Sequence, residues 1–285
     1  MSFGPLVDAA WLAAHHLDPD VRVIDLRWYL DGRSGEAAFD AGHVPGAVFV
    51  DLDAVSGHEP GRGRHPLPDG AVLEREMRRA GVGRDSAVVV YDDASGTVAA
   101  RLWWVLRYFG HERAAVLDGG LHAWSGPLSR AAERPAPGDF VVRSPRREMK
   151  VEYDDVRRLP EAAVLLDART AERYRGETEP VDPRAGHIPG ARSAPTAGNL
   201  APDRRFRPPE ELRRRYEALG VRGGGDAVAY CGSGVSACHD LLAMELAGLP
   251  GARLYPGSWS EWCGHADAPV ATGDEPPLRG GGGAS

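Results

Sequence analysis

The sequence is poor in cysteine. Its three, Cys231, Cys238 and Cys263, lie in the last quarter of a 285-residue chain. An odd number excludes complete disulfide pairing, and no pair has C-x-x-C spacing, so neither a disulfide framework nor a structural zinc site is written here. A reducing, cytoplasmic setting is the expectation. Long apolar runs are also lacking: no stretch approaches the roughly 18 apolar residues of a membrane span. Met1 to Pro5 has neither a basic n-region nor an apolar core, so no secretory signal is read. Basic excess is absent. The 34 Lys and Arg against 41 Asp and Glu give a net charge of −7, which argues against a nucleic-acid footprint. The runs Arg78-Arg79, Arg146-Arg147 and Arg213-Arg214-Arg215 are broken by acids and read as solvated faces or linker. The glycine stretches at 61–63 and 223–225 lack the strand–GxGxxG–helix context of a dinucleotide site.

What is present is a repeat. With 42% apolar and 26% charged residues, the chain reads as globular, and its length as two domains. Val21 to Arg27 reads as a strand ending in Asp25. Gly42-His43-Val44-Pro45-Gly46-Ala47 is a turn, Ala71–Ala80 a helix, Ala87–Tyr91 an apolar strand followed by Asp92, and Val98–Phe109 an apolar helix. The second half repeats the order. Strand 163–169 carries Asp167, the turn is Gly186-His187-Ile188-Pro189-Gly190-Ala191, and helix 210–219 precedes strand 226–230, which leads into Cys231. His43 and His187 are 144 residues apart, and Asp25 and Asp167 are 142 apart. An order-preserving offset of this size means two copies of one domain, not a solenoid. Alternating short apolar strands and helices predict an α/β fold with a parallel sheet in each copy. The expected division is an N-terminal domain over 1–135, a Pro/Gly-rich linker over 126–148, a catalytic domain over 148–278 and a Gly-rich tail over 279–285.

The chemistry-bearing stretch is Tyr230-Cys231-Gly232-Ser233-Gly234-Val235-Ser236-Ala237, between a buried strand and a helix read as Val235–Leu246. Small residues let successive backbone N–H groups converge, and a helix N-terminus adds partial positive charge. A thiolate held there is a nucleophile; the bland alternative is a buried structural cysteine. Aligning the copies puts Asp92 opposite Cys231, so one site is expected, in the C-terminal half. A Cys-x5-Arg phosphatase loop would need arginine where Ala237 stands. His43 and His187 occur in both copies, including the one without a cysteine, and read as structural. So do Asp25 and Asp167, expected to bond loop amides. Cys238 reads as a core residue, and Cys263 as an exposed one.

These motifs, with Gly257-Ser258-Trp259-Ser260-Glu261-Trp262, resemble the tandem-domain rhodanese family of thiosulfate and 3-mercaptopyruvate sulfurtransferases, over about Leu6 to Pro269. The resemblance implies two tandem rhodanese-like domains, the first non-catalytic with Asp92 in the cysteine's place. It implies a persulfide on Cys231, and transfer from a small-molecule donor to a thiol, cyanide or protein thiol acceptor. No cofactor or metal is implied, and nucleic acid and membrane are not among the expected partners; a monomer is favoured. Thiosulfate-preferring members typically have basic residues directly after the cysteine. Here Gly232 and Ser233 follow, which leans toward 3-mercaptopyruvate. The resemblance assigns Arg173 to the donor's anionic group, and Ser233, His65 and Asp53 to proton handling. Gly232, Gly234, Val235, Ser236 and Ala237 would cradle the persulfide through their N–H groups. A second arginine expected before the Gly-His turn has only Arg184, out of register, to fill it. A non-catalytic persulfide carrier or regulatory module is the rival from another class.

Overall fold

The computed structural model describes residues 3–274; the tail expected over 279–285 lies outside them. The N-terminal half forms a five-stranded parallel sheet from β1 (Leu6–Val7), β2 (Val21–Asp25), β3 (Val48–Phe49), β4 (Ala87–Tyr91) and β5 (Ala114–Leu117), in the order β1-β5-β4-β2-β3. The C-terminal half forms a four-stranded parallel sheet from β6 (Val164–Asp167), β7 (Arg192–Ser193), β8 (Ala227–Tyr230) and β9 (Arg253–Leu254), in the order β7-β6-β8-β9. The α/β fold with two parallel sheets flanked by helices is the one expected. The edge strand β1 was not: two residues are too few to give a period.

Strand β4 is buried along its whole length, and its side chains alternate between two cores. Val88 and Val90 join one cluster, and Val89 and Tyr91 another. That is why it reads as a continuous apolar run: a parallel strand is covered on both faces. Strand β8 behaves alike, with Ala227 and Ala229 on one side and Val228 and Tyr230 on the other. The cluster holding Val88, Val90, Ala227 and Ala229 is shared by both halves. The α-helices among the described residues are α1 (Ala9–His15), α2 (Gly35–Ala41), α3 (Gly70–Arg79), α4 (Ala99–Tyr108), α5 (Tyr153–Arg157), α6 (Ala171–Arg175), α7 (Pro209–Ala218), α8 (Ala237–Leu246) and α9 (Ser258–Trp262), and α4 and α8 both contribute to that shared core between the sheets. Two domains joined by a common apolar core do not drift independently. Residues 127–146 contain no helix or strand, but they are not loose. Ser129 bridges to His43, and Phe140 is fully buried with its carbonyl accepting from Arg78.

The repeated motifs are a repeated brace. At the end of β2, Arg27 pairs with Asp25 at 2.6 Å and donates to the Gly42 carbonyl. At the end of β6, Arg169 pairs with Asp167 at 2.6 Å and donates to the Gly186 carbonyl. Each aspartate accepts a loop amide as expected, the N–H of the arginine two residues on, and in addition holds that arginine's guanidinium, which the sequence does not announce. His43 stacks on Phe39 and His187 on Tyr174, each with Nδ1 on the carbonyl of its stacking partner. These histidines fix the turns against the helices that carry Phe39 and Tyr174.

Candidate active site

Strand β8 ends at Tyr230, and Cys231 opens the loop to α8. The helix begins at Ala237, two residues later than the sequence suggests, because Gly234 has φ 76° and holds the loop out of helical geometry. A Cβ at Gly234 would strike the Pro256 carbonyl. Gly234→Ala is therefore expected to cost about 1–3 kcal/mol and to displace the loop, read as a lowered denaturation midpoint together with lost turnover.

A second loop holds the first in place. The Cys231 N–H donates to Ser258 Oγ at 3.1 Å, and the Trp259 and Ser260 N–H groups donate to the carbonyls of Cys231 and Gly232. Ser258 does this from a left-handed conformation, φ 53°. The Gly-Ser-Trp-Ser-Glu-Trp segment, α9 (Ser258–Trp262) with its entry glycine, is thus the backing of the cysteine loop. Cys231 is 2% exposed.

The N–H groups of Gly232 through Ala237 have no acceptor among the described residues. The other domain shows what such a loop accommodates. Asp92, at the end of β4 as Cys231 is at the end of β8, accepts N–H bonds of 2.7–2.9 Å from Ala94, Gly96, Val98 and Ala99. Those donors lie two, four, six and seven residues past the aspartate. Counting two, four and six past Cys231 gives Ser233, Val235 and Ala237, all with free N–H groups. The N-terminal loop carries its own anion; the C-terminal loop leaves three of the four equivalent donors unfilled, as an anion cradle would, and the fourth, Cys238, donates to the Val235 carbonyl.

The N-terminal domain completes the site through residues 62–66. The Arg64 N–H donates to Ser260 Oγ at 3.1 Å, and Arg62 pairs with Glu261 at 3.4 Å. His65 is buried, with Nδ1 2.8 Å from Ser233 Oγ. Its Nε2 is 3.4 Å from Asp53 Oδ1, and its ring meets Trp28 edge-on. So Ser233, His65 and Asp53 come together, although they span both domains. Asp53 is 62% exposed, and at this distance its pull on the imidazole is weak. Burial, reinforced by Arg101 and Arg64 and opposed by Asp51, drives His65 down to about 4. It is a neutral imidazole at physiological pH.

Arg101, on α4, is fully buried without a carboxylate partner. It donates to the carbonyls of Gly234, His65 and Pro66, tying the cysteine loop to the histidine loop. It escaped the sequence reading, although an arginine inside an apolar helix is itself a signal.

Arg173, on α6 (Ala171–Arg175), reaches the cysteine loop. A Cβ placed on Gly232 would lie 3.6 Å from both its terminal nitrogens, and 2.9 Å from a terminal nitrogen of Arg64. Arg173 pairs with Glu179 at 2.6 Å and Asp182 at 3.3 Å; Arg64 pairs with Asp182. Arg64 is the second cation, hidden in the sequence because Gly61-Arg62-Gly63-Arg64 reads as a solvated loop. Arg184 is engaged elsewhere, donating to the carbonyls of His265 and Ala268, and Arg175 pairs with Glu177 at the surface. Cys238 is buried as expected, and burial pushes its thiol up to about 12. Cys263 is buried too, against expectation, because α9 turns it inward beside Trp259 and Trp262; burial pushes its thiol up as well. Both stay protonated and are poor nucleophiles. No cluster of His, Cys, Asp or Glu among the described residues could hold a metal ion, and no helix among them is long and apolar enough to cross a membrane.

A family model for the rhodanese-like domain matches residues 8–127 and 152–265. A probable 3-mercaptopyruvate sulfurtransferase of Pseudomonas aeruginosa is 45% identical, covering 96% of this chain and all of the relative. A putative thiosulfate sulfurtransferase, SseB, of Mycobacterium tuberculosis is 43% identical, covering 94% of this chain and 97% of the relative. The crystal structure of SseA from Escherichia coli, a 3-mercaptopyruvate enzyme, matches with a TM-score of 0.79 at 34% identity, over 90% of this chain and 99% of that one.

Proposed function

Because the chain belongs to the rhodanese family and is a sulfurtransferase, we propose that it moves a sulfane sulfur from 3-mercaptopyruvate, through a persulfide on Cys231, to a thiol or cyanide acceptor. The observation that carries this is the cysteine loop. It offers a nucleophile at a strand end, free N–H donors where the other domain holds a carboxylate, and a serine bonded to a neutral histidine.

The Cys231 thiolate attacks the donor sulfur. The carbon–sulfur bond breaks, and its electron pair leaves with the three-carbon fragment as the enolate of pyruvate. Ser233 takes the donor's thiol proton while passing its own to His65 Nδ1, and the proton returns to the enolate, giving pyruvate. Arg173 holds the donor carboxylate, and the loop N–H groups stabilise the persulfide anion. An acceptor thiolate or cyanide then attacks the outer sulfur and releases Cys231 as thiolate. The three free cysteines fit a reducing, cytoplasmic setting, and the net charge of −7 fits small anionic substrates held locally rather than nucleic acid. A single chain supplies every residue of this scheme, so a monomer suffices.

A second donor has a specific observation behind it. Two guanidinium groups beside Gly232 suit a dianion, and thiosulfate is one. Steady-state rates with both donors and cyanide decide: a preference for 3-mercaptopyruvate is expected, and a preference for thiosulfate overturns the donor assignment. Removing the proton acceptor separates the two chemically. His65→Ala is expected to lower turnover with 3-mercaptopyruvate by about 10²–10⁴-fold, and with thiosulfate less, because thiosulfate brings no proton. Equal losses would remove His65 from the proton path. Since His65 titrates near 4, the ratio of kcat/KM for 3-mercaptopyruvate to that for thiosulfate, in which the ionisation of the shared nucleophile cancels, is expected to fall only near that pH. A ratio that already falls at 6.5 would mean a different base.

A further inference from the structure

We infer that Asp182 is a resident counter-ion in the donor site, and that the donor's anionic group binds by displacing it from between Arg64 of the N-terminal domain and Arg173 of the C-terminal domain. The inference rests on the reading of Cys231 as the sulfur acceptor, since it concerns what occupies the space beside it.

Both guanidinium groups border the space above Gly232, the residue directly after Cys231. They reach it from different domains. Both touch Asp182, whose side chain is 3% exposed. Glu179 also serves Arg173, but the two carboxylates are held very differently. Glu179 accepts from Arg173 twice, from Arg169, and from the backbone N–H groups of Val181 and Asp182. It is a fixed part of the wall. Among the described residues the Asp182 carboxylate has only the two arginines as hydrogen-bond partners, and its bond to Arg173 is long, at 3.3 Å. Burial, with Glu179 nearby and against the pull of Arg64, pushes the Asp182 carboxyl up, whereas the bonds to Arg173 and the loop amides hold Glu179 down. Asp182 is therefore the acid that leaves at least cost. Asp182 lies in a stretch, residues 177–186, with no helix or strand, so turning its side chain outward breaks no ladder and leaves Glu179 in place.

The charges require a displacement. Arg64 and Arg173 are already balanced by Glu179 and Asp182. An anion entering on top of both acids would leave a buried negative excess, which is costly. With Asp182 turned to solvent, the donor's anion restores the balance and inherits two charge-assisted donors. Because Arg64 belongs to the other domain, the donor's anion bridges the domains at the point where His65 also crosses. Asp182 then sets donor affinity: it keeps the empty clamp neutral and taxes every anion that enters.

The test uses Cys231 itself as the reporter. Iodoacetate and iodoacetamide alkylate the same thiolate, but one is an anion and the other neutral. Their rate ratio reports the local field, and a mere distortion of the loop slows both alike. Asp182→Asn is expected to raise the iodoacetate/iodoacetamide ratio roughly threefold to tenfold and Arg64→Gln to lower it as much, with Arg64→Lys restoring most of it. In turnover, KM for either anionic donor is expected to fall several-fold in Asp182→Asn and to rise about tenfold or more in Arg64→Gln, with smaller changes in kcat. An unchanged ratio in both variants, or weaker donor binding in Asp182→Asn, overturns the inference. Failure of the wild type to form a persulfide with either donor would instead overturn the sulfurtransfer scheme, and the alkylation ratio would still report on the clamp.

Discussion

Cys231→Ser is expected to stop sulfur transfer, with kcat falling by at least roughly 10⁴-fold for both donors while the fold is kept. Serine is close in size, and the side chain sits at 2% exposure in a loop whose backbone bonds to Ser258, Trp259 and Ser260 do not involve the sulfur. What is lost is chemical. A hydroxyl in this cradle is not ionised at neutral pH and cannot hold a sulfane sulfur as the thiolate does. Neither remaining cysteine rescues it. Cys238 donates its thiol to the Gly234 carbonyl and is pushed up to about 12, and Cys263 is also held protonated by burial. Steady-state rates beside a thermal melt check this. Unchanged stability with no rate is the expected pair, and substantial residual turnover would place the nucleophile elsewhere.

The opposite behaviour is expected at the matching position of the other domain. Asp92→Ala should cost about 3–5 kcal/mol, because it removes a buried anion from four N–H donors. Through the entropy of unfolding for a protein of this size, that lowers the thermal midpoint by roughly 5–8 °C. Burial alone pushes the Asp92 carboxyl up, and the amides of Ala99, Gly96, Val98 and Ala94 pull it back toward the ionised form. Asp92→Asn keeps an acceptor oxygen and should lose less. So two residues at equivalent strand ends separate cleanly: one substitution abolishes chemistry and spares the fold, and the other damages the fold first. If Asp92→Ala melted like the wild type, the comparison of the two loops as one anion cradle, filled and unfilled, would fail. Thermal melts of the three proteins in one buffer decide it.

The fold was legible because its signals are local and repeated. Strands such as Ala87–Tyr91, buried on both faces, can only be written as apolar runs, and the Gly-His turns recur because the same arginine brace recurs. The cysteine and its loop were legible for the same reason: a strand, small residues and a helix follow one another directly. What stayed hidden was contact across the domain boundary. Arg64 lies in a glycine-rich loop that looks solvated, and the approach of Gly63 to Gly257 brings its side chain beside Gly232. Arg184 stood near the expected place of a second clamp, but its side chain closes onto the carbonyls of His265 and Ala268. Cys263 looked exposed because it follows the last tryptophan of its motif, and the short helix turns it inward. The meeting of two loops 168 residues apart at Ser233 and His65 follows from no spacing rule, and only the family resemblance announces it.

The central claim is that sulfur rests on Cys231. Its most direct test is the mass of the Cys231 peptide after the protein meets one equivalent of 3-mercaptopyruvate with no acceptor present, and again after cyanide is added. The expected result is a gain of one sulfur atom on that peptide alone, with pyruvate released in equal amount, and loss of the sulfur to cyanide as thiocyanate. Pyruvate release without added mass on Cys231, or sulfur found on the Cys238 or Cys263 side chain instead, would contradict it.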